Sequence, residues 1–235
     1  MEIIVDLCNQ HFGSLSELKR MSLNAYLAGA DVVKIQLMDS ESVFGDNSRK
    51  YRDVTYENFK NLNEFCKNLD IPLMATAFNE ESLDWITSLN IERFKIASKT
   101  VKSDPKLCEK ILRLNKNTII STGFCKPNEF PFGHDKNISY LFCVSKYPTF
   151  LYDDDLKKMP SKFDDYKGYA GYSDHTIGIA ACIEAYNRGS KIIEKHFSNN
   201  PIAQSKFEGG HLGAFDKDSL SNFRKLIREL DIIRG

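Results

Sequence analysis

The sequence predicts a closed parallel (β/α)8 barrel of the TIM type, a single domain over residues 1–235, and three observations predict it. Short β-branched or apolar runs alternate with longer stretches whose apolar residues recur at helical spacing, the pattern of repeated β-α units. Eight such runs can be counted, and the length of 235 residues suits one barrel of that kind. The turn after the first run reads Asn9-Gln10-His11-Phe12-Gly13, which is not the glycine fingerprint of an open dinucleotide-binding sheet.

The strands are expected at 3–7, 32–36, 72–76, 93–97, 118–121, 139–144, 169–173 and 192–196. Between the first two, residues 14–28 form a helical stretch in which Ser14 stands as cap and Glu17 three residues on completes a capping-box pattern. Residues 41–53 are long, polar and without periodicity, and read as a mobile loop over the barrel mouth; its Arg49, Lys50 and Arg52 could meet an anionic product, but a solvated loop is the favoured reading. Between the last two strands, residues 176–188 have a helical pattern ended by Gly189. The final stretch, 217–233, places Leu220, Phe223, Leu226, Ile227, Leu230 and Ile233 at helical spacing and closes the outer ring. Tyr152-Asp153-Asp154-Asp155 reads as a solvated acidic turn.

Lys plus Arg (32) balances Asp plus Glu (32), so net charge gives no reason to expect a nucleic acid or an anionic membrane as partner. The six cysteines are widely spaced with no C-x-x-C pair, and several lie in apolar runs, which suggests a reducing compartment. The N-terminus Met1-Glu2-Ile3-Ile4-Val5-Asp6 has no basic segment before a long apolar one, and no apolar stretch reaches 18 residues. The expected setting is cytoplasmic, with no membrane.

In parallel barrels the chemistry stands at the C-terminal strand ends and in the loops that follow. That filter selects Asp6, Gln10 and His11 after the first strand, Lys34 and Gln36 on the second, Thr76 and Phe78 at the third, and Lys95 and Ser98 at the fourth. Ser121 and Thr122 follow on the fifth, Ser145 and Tyr147 on the sixth, Ser173 and His175 on the seventh, and Glu194 and His196 on the eighth. Lys34 and Lys95 each interrupt an apolar strand, and a buried ammonium needs an anionic partner. An internal salt bridge would supply one. A bound anion would supply it equally well, and two lysines with several hydroxyls favour the anion. His175 and His196, on consecutive strand ends, make a good pair for a divalent metal, with Asp174 and Glu194 placed in sequence to orient them.

The residues resemble the barrel domain of the sialic acid synthase family, which condenses phosphoenolpyruvate with an N-acetylated hexosamine. Gln10-His11-Phe12-Gly13 resembles the family's Asn-His-x-Gly loop, Ala28-Gly29-Ala30-Asp31-Val32-Val33-Lys34-Ile35-Gln36 its second strand and Phe94-Lys95-Ile96-Ala97-Ser98 its fourth. Ser121-Thr122-Gly123, Ser145-Lys146-Tyr147-Pro148-Thr149, Gly171-Tyr172-Ser173-Asp174-His175-Thr176 and Glu194-Lys195-His196-Phe197 follow in order, so the resemblance runs from Ile3 to beyond His211.

The resemblance implies that Lys34, Thr76, Lys95, Ser98, Ser121, Ser145 and Ser173 hold phosphoenolpyruvate, and that His175 and His196 hold Mn2+ or another divalent metal. It makes His175, His196, Lys95 and Asp6 the catalytic set, and assigns Asp6, Gln10, His11, Phe78, Tyr147 and His211 to the sugar acceptor. The expected reaction is an aldol-type condensation giving a 3-deoxy-2-keto sugar acid and phosphate. Departures gather on the acceptor side: the family has Glu at Asp6, an acidic residue at Thr100 and Asp at Gly210. The chain also ends without the family's antifreeze-like domain, so a homodimer or a separate antifreeze-like chain is a possible partner. The acceptor is therefore expected to differ from N-acetylmannosamine. The competing readings are a catalytically silent barrel that binds a sugar acid or partner, another metal-dependent lyase, and half of a split enzyme.

Overall fold

The computed structural model describes residues 1–7, 11–200 and 212–235. Eight parallel strands close on themselves in chain order: β1 (Glu2–Asp6), β2 (Val32–Leu37), β3 (Leu73–Ala77), β4 (Arg93–Ile96), β5 (Asn117–Ser121), β6 (Ile138–Cys143), β7 (Gly171–Asp174) and β8 (Ile192–His196). The closing pair sets Asp6 beside His196, and β1 and β2 set Asp6 beside Lys34.

Because side chains alternate along a strand, the pattern fixes what fills the barrel. An apolar layer of Ile4, Val32, Met74, Ile119 and Leu141, with Ile192 packed against it, occupies the interior. Below it Arg93 grips Glu2 with two hydrogen bonds, at 2.6 and 2.7 Å. Two residues further along the same strands, on the same inner face, come Asp6, Lys34, Thr76, Ser121, Cys143 and Glu194. The polar layer is thus a direct consequence of register over an apolar floor. The outward residues, among them Val5, Ile35, Ile120 and Tyr172, pack under the helices in the main core.

The helices are α1 (Leu15–Leu27), α2 (Ser40–Phe44), α3 (Tyr56–Asn68), α4 (Glu80–Ser88), α5 (Ser98–Ser103), α6 (Pro105–Arg113), α7 (Ala180–Asn187) and α8 (Lys217–Arg234). Ser14 caps α1 by accepting from Glu17 N at 3.3 Å, but the Glu17 carboxylate turns to Asn199 and Arg20, so only half of the expected box forms. Asn79 with Ser82, and Asp216 with Ser219, form complete reciprocal caps on α4 and α8.

Three expectations change. The 41–53 loop is not featureless: it carries α2 and a 3-10 turn at Lys50–Arg52, tied down where Ser40 N donates to Asp53 at 2.9 Å. The helix expected from 176 begins at Ala180, because residues 177–179 turn first and Gly178 has φ +81°. The connections after β5 and β6 contain no α-helix; the second has one 3-10 turn at Leu156–Lys158. Pro127, Pro131 and Gly133 in one, and Pro148, Pro160 and Gly168 in the other, remove helical donors and break the period. Aromatic packing replaces the helices there, with Phe130 against Tyr140 and Tyr169 at ring separations of 4.9 and 5.1 Å.

Candidate active site

Asp6 stands at the C-terminal end of β1, between β2 and β8. Its Oδ2 accepts from Lys34 Nζ and Gln36 Nε2, each at 2.8 Å, and lies 3.7 Å from His196 Nδ1. Glu194 holds the other side: its Oε1 accepts from Ser173 Oγ at 3.0 Å and lies 3.2 Å from Lys34 Nζ and 3.8 Å from Lys95 Nζ. Lys95 Nζ donates to Ser121 Oγ at 2.8 Å and to Ile96 O at 3.0 Å. Burial, partly offset by Glu194, pushes this ammonium down to about 8. Lys34 therefore has carboxylate partners within the protein, so the internal salt bridge forms. Two lysines face two carboxylates, and the layer is close to charge balance.

Several hydroxyls complete it. Thr76 Oγ1 and Glu194 Oε2 are buried and make no hydrogen bond among the described residues. A buried polar atom without a partner is unfavourable by about 1–3 kcal/mol, so a ligand that supplied the missing bonds would be held here. Ser98 Oγ accepts from Gly123 N at 2.9 Å. Ser145 comes within reach because residue 123 has no side chain: a Cβ there would lie 2.2 Å from Ser145 Oγ. Phe78 is half-buried above Thr76.

The imidazoles of His175 and His196 come together from adjacent strands, with ring centroids 5.5 Å apart. His175 Nδ1 lies 2.8 Å from Val144 O; a carbonyl only accepts, so Nδ1 carries the proton and Nε2 is the nitrogen left for a metal. Asp174 does not orient this ring. It points out of the barrel, where Lys195, Tyr172 OH at 2.8 Å, Cys182 Sγ at 3.0 Å and Thr176 N at 2.8 Å surround it. Glu194, likewise, serves the lysines and Ser173. Tyr147 packs its ring 4.2 Å from His175.

Cys143, one of six cysteines to which the sequence assigns no site role, stands 3.9 Å from His175 Nδ1 and 3.8 Å from Ser145 Oγ. Burial raises its thiol, but His175 and Lys95 outweigh that and hold it below the ordinary range. Its inward phase on β6, two residues before Ser145, was the signal that could have found it. His11 is buried, accepts from Gly13 N at 3.0 Å on Nδ1, and is pushed down to about 4 by desolvation against the pull of Asp6. It is neutral, and because Nδ1 accepts, the proton is on Nε2. Gln10 and His211 lie outside the described residues.

Among the described residues no cluster of three or more His, Cys, Asp or Glu is arranged around a metal position. The paired imidazoles, one with its second nitrogen tied to a carbonyl, fit a two-nitrogen hold on a divalent ion that takes further ligands from water or substrate. No helix among these residues is long and apolar enough to cross a membrane.

A parallel barrel with a charged, hydroxyl-rich C-terminal mouth places the chain with the barrel enzymes that act at that face. The chain belongs to the NeuB family, whose model matches residues 22–235. It is 30% identical to the N,N'-diacetyllegionaminic acid synthase of Legionella pneumophila, over 99% of this chain and 73% of that one. It is 29% identical to a pseudaminic acid synthase of Campylobacter jejuni, over 87% and 67%. The solved N-acetylneuraminic acid (sialic acid) synthetase of Leptospira borgpetersenii, in complex with citrate, superposes with a TM-score of 0.84 at 25% identity, covering 99% of this chain and 84% of that one.

Proposed function

We propose that residues 1–235 act as one barrel domain that condenses phosphoenolpyruvate with a sugar aldehyde to give a 3-deoxy-2-keto sugar acid of the nonulosonic type and inorganic phosphate. The observation that carries this reading is the polar layer at the mouth of a NeuB-family barrel. There Lys95 and Ser121 are joined beside a buried Thr76 hydroxyl that makes no hydrogen bond among the described residues.

In this reading Lys34, Lys95, Thr76, Ser98, Ser121, Ser145 and Ser173 hold the phosphate and carboxylate of phosphoenolpyruvate. Lys95 acts as a charged donor, its protonation tuned by burial. C3 of phosphoenolpyruvate forms a bond to the aldehyde carbon, and positive charge develops at C2. Water adds at C2, the C2–O bond to phosphate breaks, and the ketone forms. Asp6 and Glu194 face the developing positive charge and hold the two ammonium groups in place. His11, neutral with its proton on Nε2, donates to an acceptor oxygen, and Phe78 and Tyr147 line the acceptor side.

His175 and His196 would hold the divalent cation, manganese in the family resemblance, which when bound supplies Lewis-acid polarisation of the aldehyde oxygen. Its charge also answers an electrostatic need. The two lysines are already balanced by Asp6 and Glu194, so an anionic substrate requires added positive charge in the layer.

That balance is also what favours a second reading, a silent barrel whose lysines are structural. Incubation with phosphoenolpyruvate, Mn2+ and a panel of N-acyl hexosamines decides between them. Release of phosphate with stoichiometric appearance of a 2-keto acid supports the synthase; absence of both across the panel, with the protein folded, supports the silent barrel.

A further inference from the structure

On the last two strands the outward layer departs from the pattern of the other six. There Val5, Ile35, Ala75, Ile96, Ile120 and Phe142 turn apolar side chains into the main core. β7 and β8 instead place Asp174 and Lys195, opposite each other in register and joined in an ion pair whose side chains are 0% and 1% exposed. A buried ion pair adds little stability over apolar residues of similar size, because desolvation offsets the attraction. What it has that an apolar pair lacks is direction: its hydrogen bonds admit one geometry.

That geometry is tied to the backbone carrying the two imidazoles. His175 follows Asp174 and His196 follows Lys195, so alternation turns each imidazole inward from a residue whose neighbour is locked outside. Asp174 Oδ1 accepts from Thr176 N and Tyr172 OH, each at 2.8 Å, and its Oδ2 accepts from Cys182 Sγ at 3.0 Å and from Lys195 Nζ. Lys195 Nζ also donates across the strands to Thr176 O at 2.7 Å and lies 5.5 Å from the centre of the Phe215 ring. The N–H and C=O of Thr176, the residue after His175, are therefore held by the two members of one pair, and one of those members is the neighbour of His196. On the near side, Thr149 N donates to His175 O at 2.9 Å. The bond to Val144 O sets the tilt of the His175 ring; the outer pair sets where that ring stands relative to His196, at a centroid separation of 5.5 Å.

We propose that Asp174 and Lys195 are positioning residues that act through the backbone to fix the spacing of the two imidazoles for a divalent ion, without touching it. The assignment rests on the reading of His175 and His196 as the ion's ligands. Metal–nitrogen bonds are about 2 Å long with a tolerance of roughly 0.2 Å, so a two-nitrogen hold is sensitive to a small slip of β7 against β8.

The test measures Mn2+ affinity, without substrate, from the electron paramagnetic resonance signal of the free ion. Four proteins are compared: the wild type, His196→Ala, the charge-free pair D174N/K195M, and Leu107→Ala, a core truncation on α6 that lowers stability without contacting the pair. Positioning predicts that the wild type binds, that His196→Ala loses the ion, that D174N/K195M binds at least about ten-fold more weakly, and that Leu107→Ala binds as the wild type does. Affinity in D174N/K195M within about two-fold of the wild type, or an equal loss in Leu107→Ala, would overturn the assignment and leave the two ligands standing. No binding by the wild type, or unchanged binding by His196→Ala, would overturn the ligand reading and the positioning with it. Should D174N/K195M fail to fold, Tyr172→Phe with Cys182→Ala, which strips two donors from Asp174 and keeps the ion pair, carries the test. A loss of about three-fold or more there supports the assignment, and an unchanged affinity overturns it.

Discussion

Asp174 and Lys195 are neighbours in sequence to the two imidazoles yet lie on the opposite face of the sheet, and their buried pair ties the ends of β7 and β8 together. Lys195 also donates to Thr176 O at 2.7 Å, which fixes the turn that follows His175. Removing one partner leaves the other charge buried, so Asp174→Ala is expected to destabilise the protein by about 3–5 kcal/mol. Urea unfolding measures this, and a loss under about 1 kcal/mol would contradict the pairing. His11 makes a separate prediction. Its imidazole titrates at about 4 in the folded chain and near its ordinary value of 6.5 when unfolded. Between those values the unfolded state binds the proton that the folded state refuses. Stability is therefore full above pH 6.5 and falls as the pH drops toward 4, by up to about 3 kcal/mol from this residue. His11→Gln should flatten urea midpoints across that window; an unchanged slope would contradict the burial of a neutral ring.

Among the elements, β5 and β6 show how local packing brings a hydroxyl into the site. The absence of a side chain at residue 123 is what lets the Ser145 hydroxyl approach. Gly123→Ala is expected to displace Ser145 and weaken phosphoenolpyruvate binding about ten-fold, with a smaller change in melting temperature, which titration and thermal unfolding read together. The strands and most of the long helices were legible because periodicity of 2.0 and 3.6 is written directly into apolar spacing. So was the inward phase of Lys34 and Lys95, and the strand-end position of Ser121 and Ser173. Partner choice was not legible. Asp174 and Glu194 looked equally able to orient an imidazole, but Asp174 faces out of the barrel, and Glu194, inward with His196, is taken by Lys34, Lys95 and Ser173. The helix-free connections after β5 and β6 were missed because a barrel prior supplies a helix wherever a loop is long, whereas prolines and aromatic packing decided those segments.

For the molecule as a whole, the barrel concentrates opposing charges at one end and supports them on an apolar floor. That arrangement keeps Lys34 and Lys95 buried, each beside a carboxylate of the same layer. Because the Lys95 ammonium titrates at about 8, phosphoenolpyruvate affinity should hold below that pH and decline above it as the lysine loses its proton. Calorimetric titration of phosphoenolpyruvate into the Mn2+-loaded protein at pH 7, repeated on Lys95→Ala, tests the central claim most directly. The account predicts saturable binding in the wild type, weakened at least about a hundred-fold in the variant, since a charged hydrogen bond in a buried site is lost. No binding in the wild type, or equal binding in both, would contradict it.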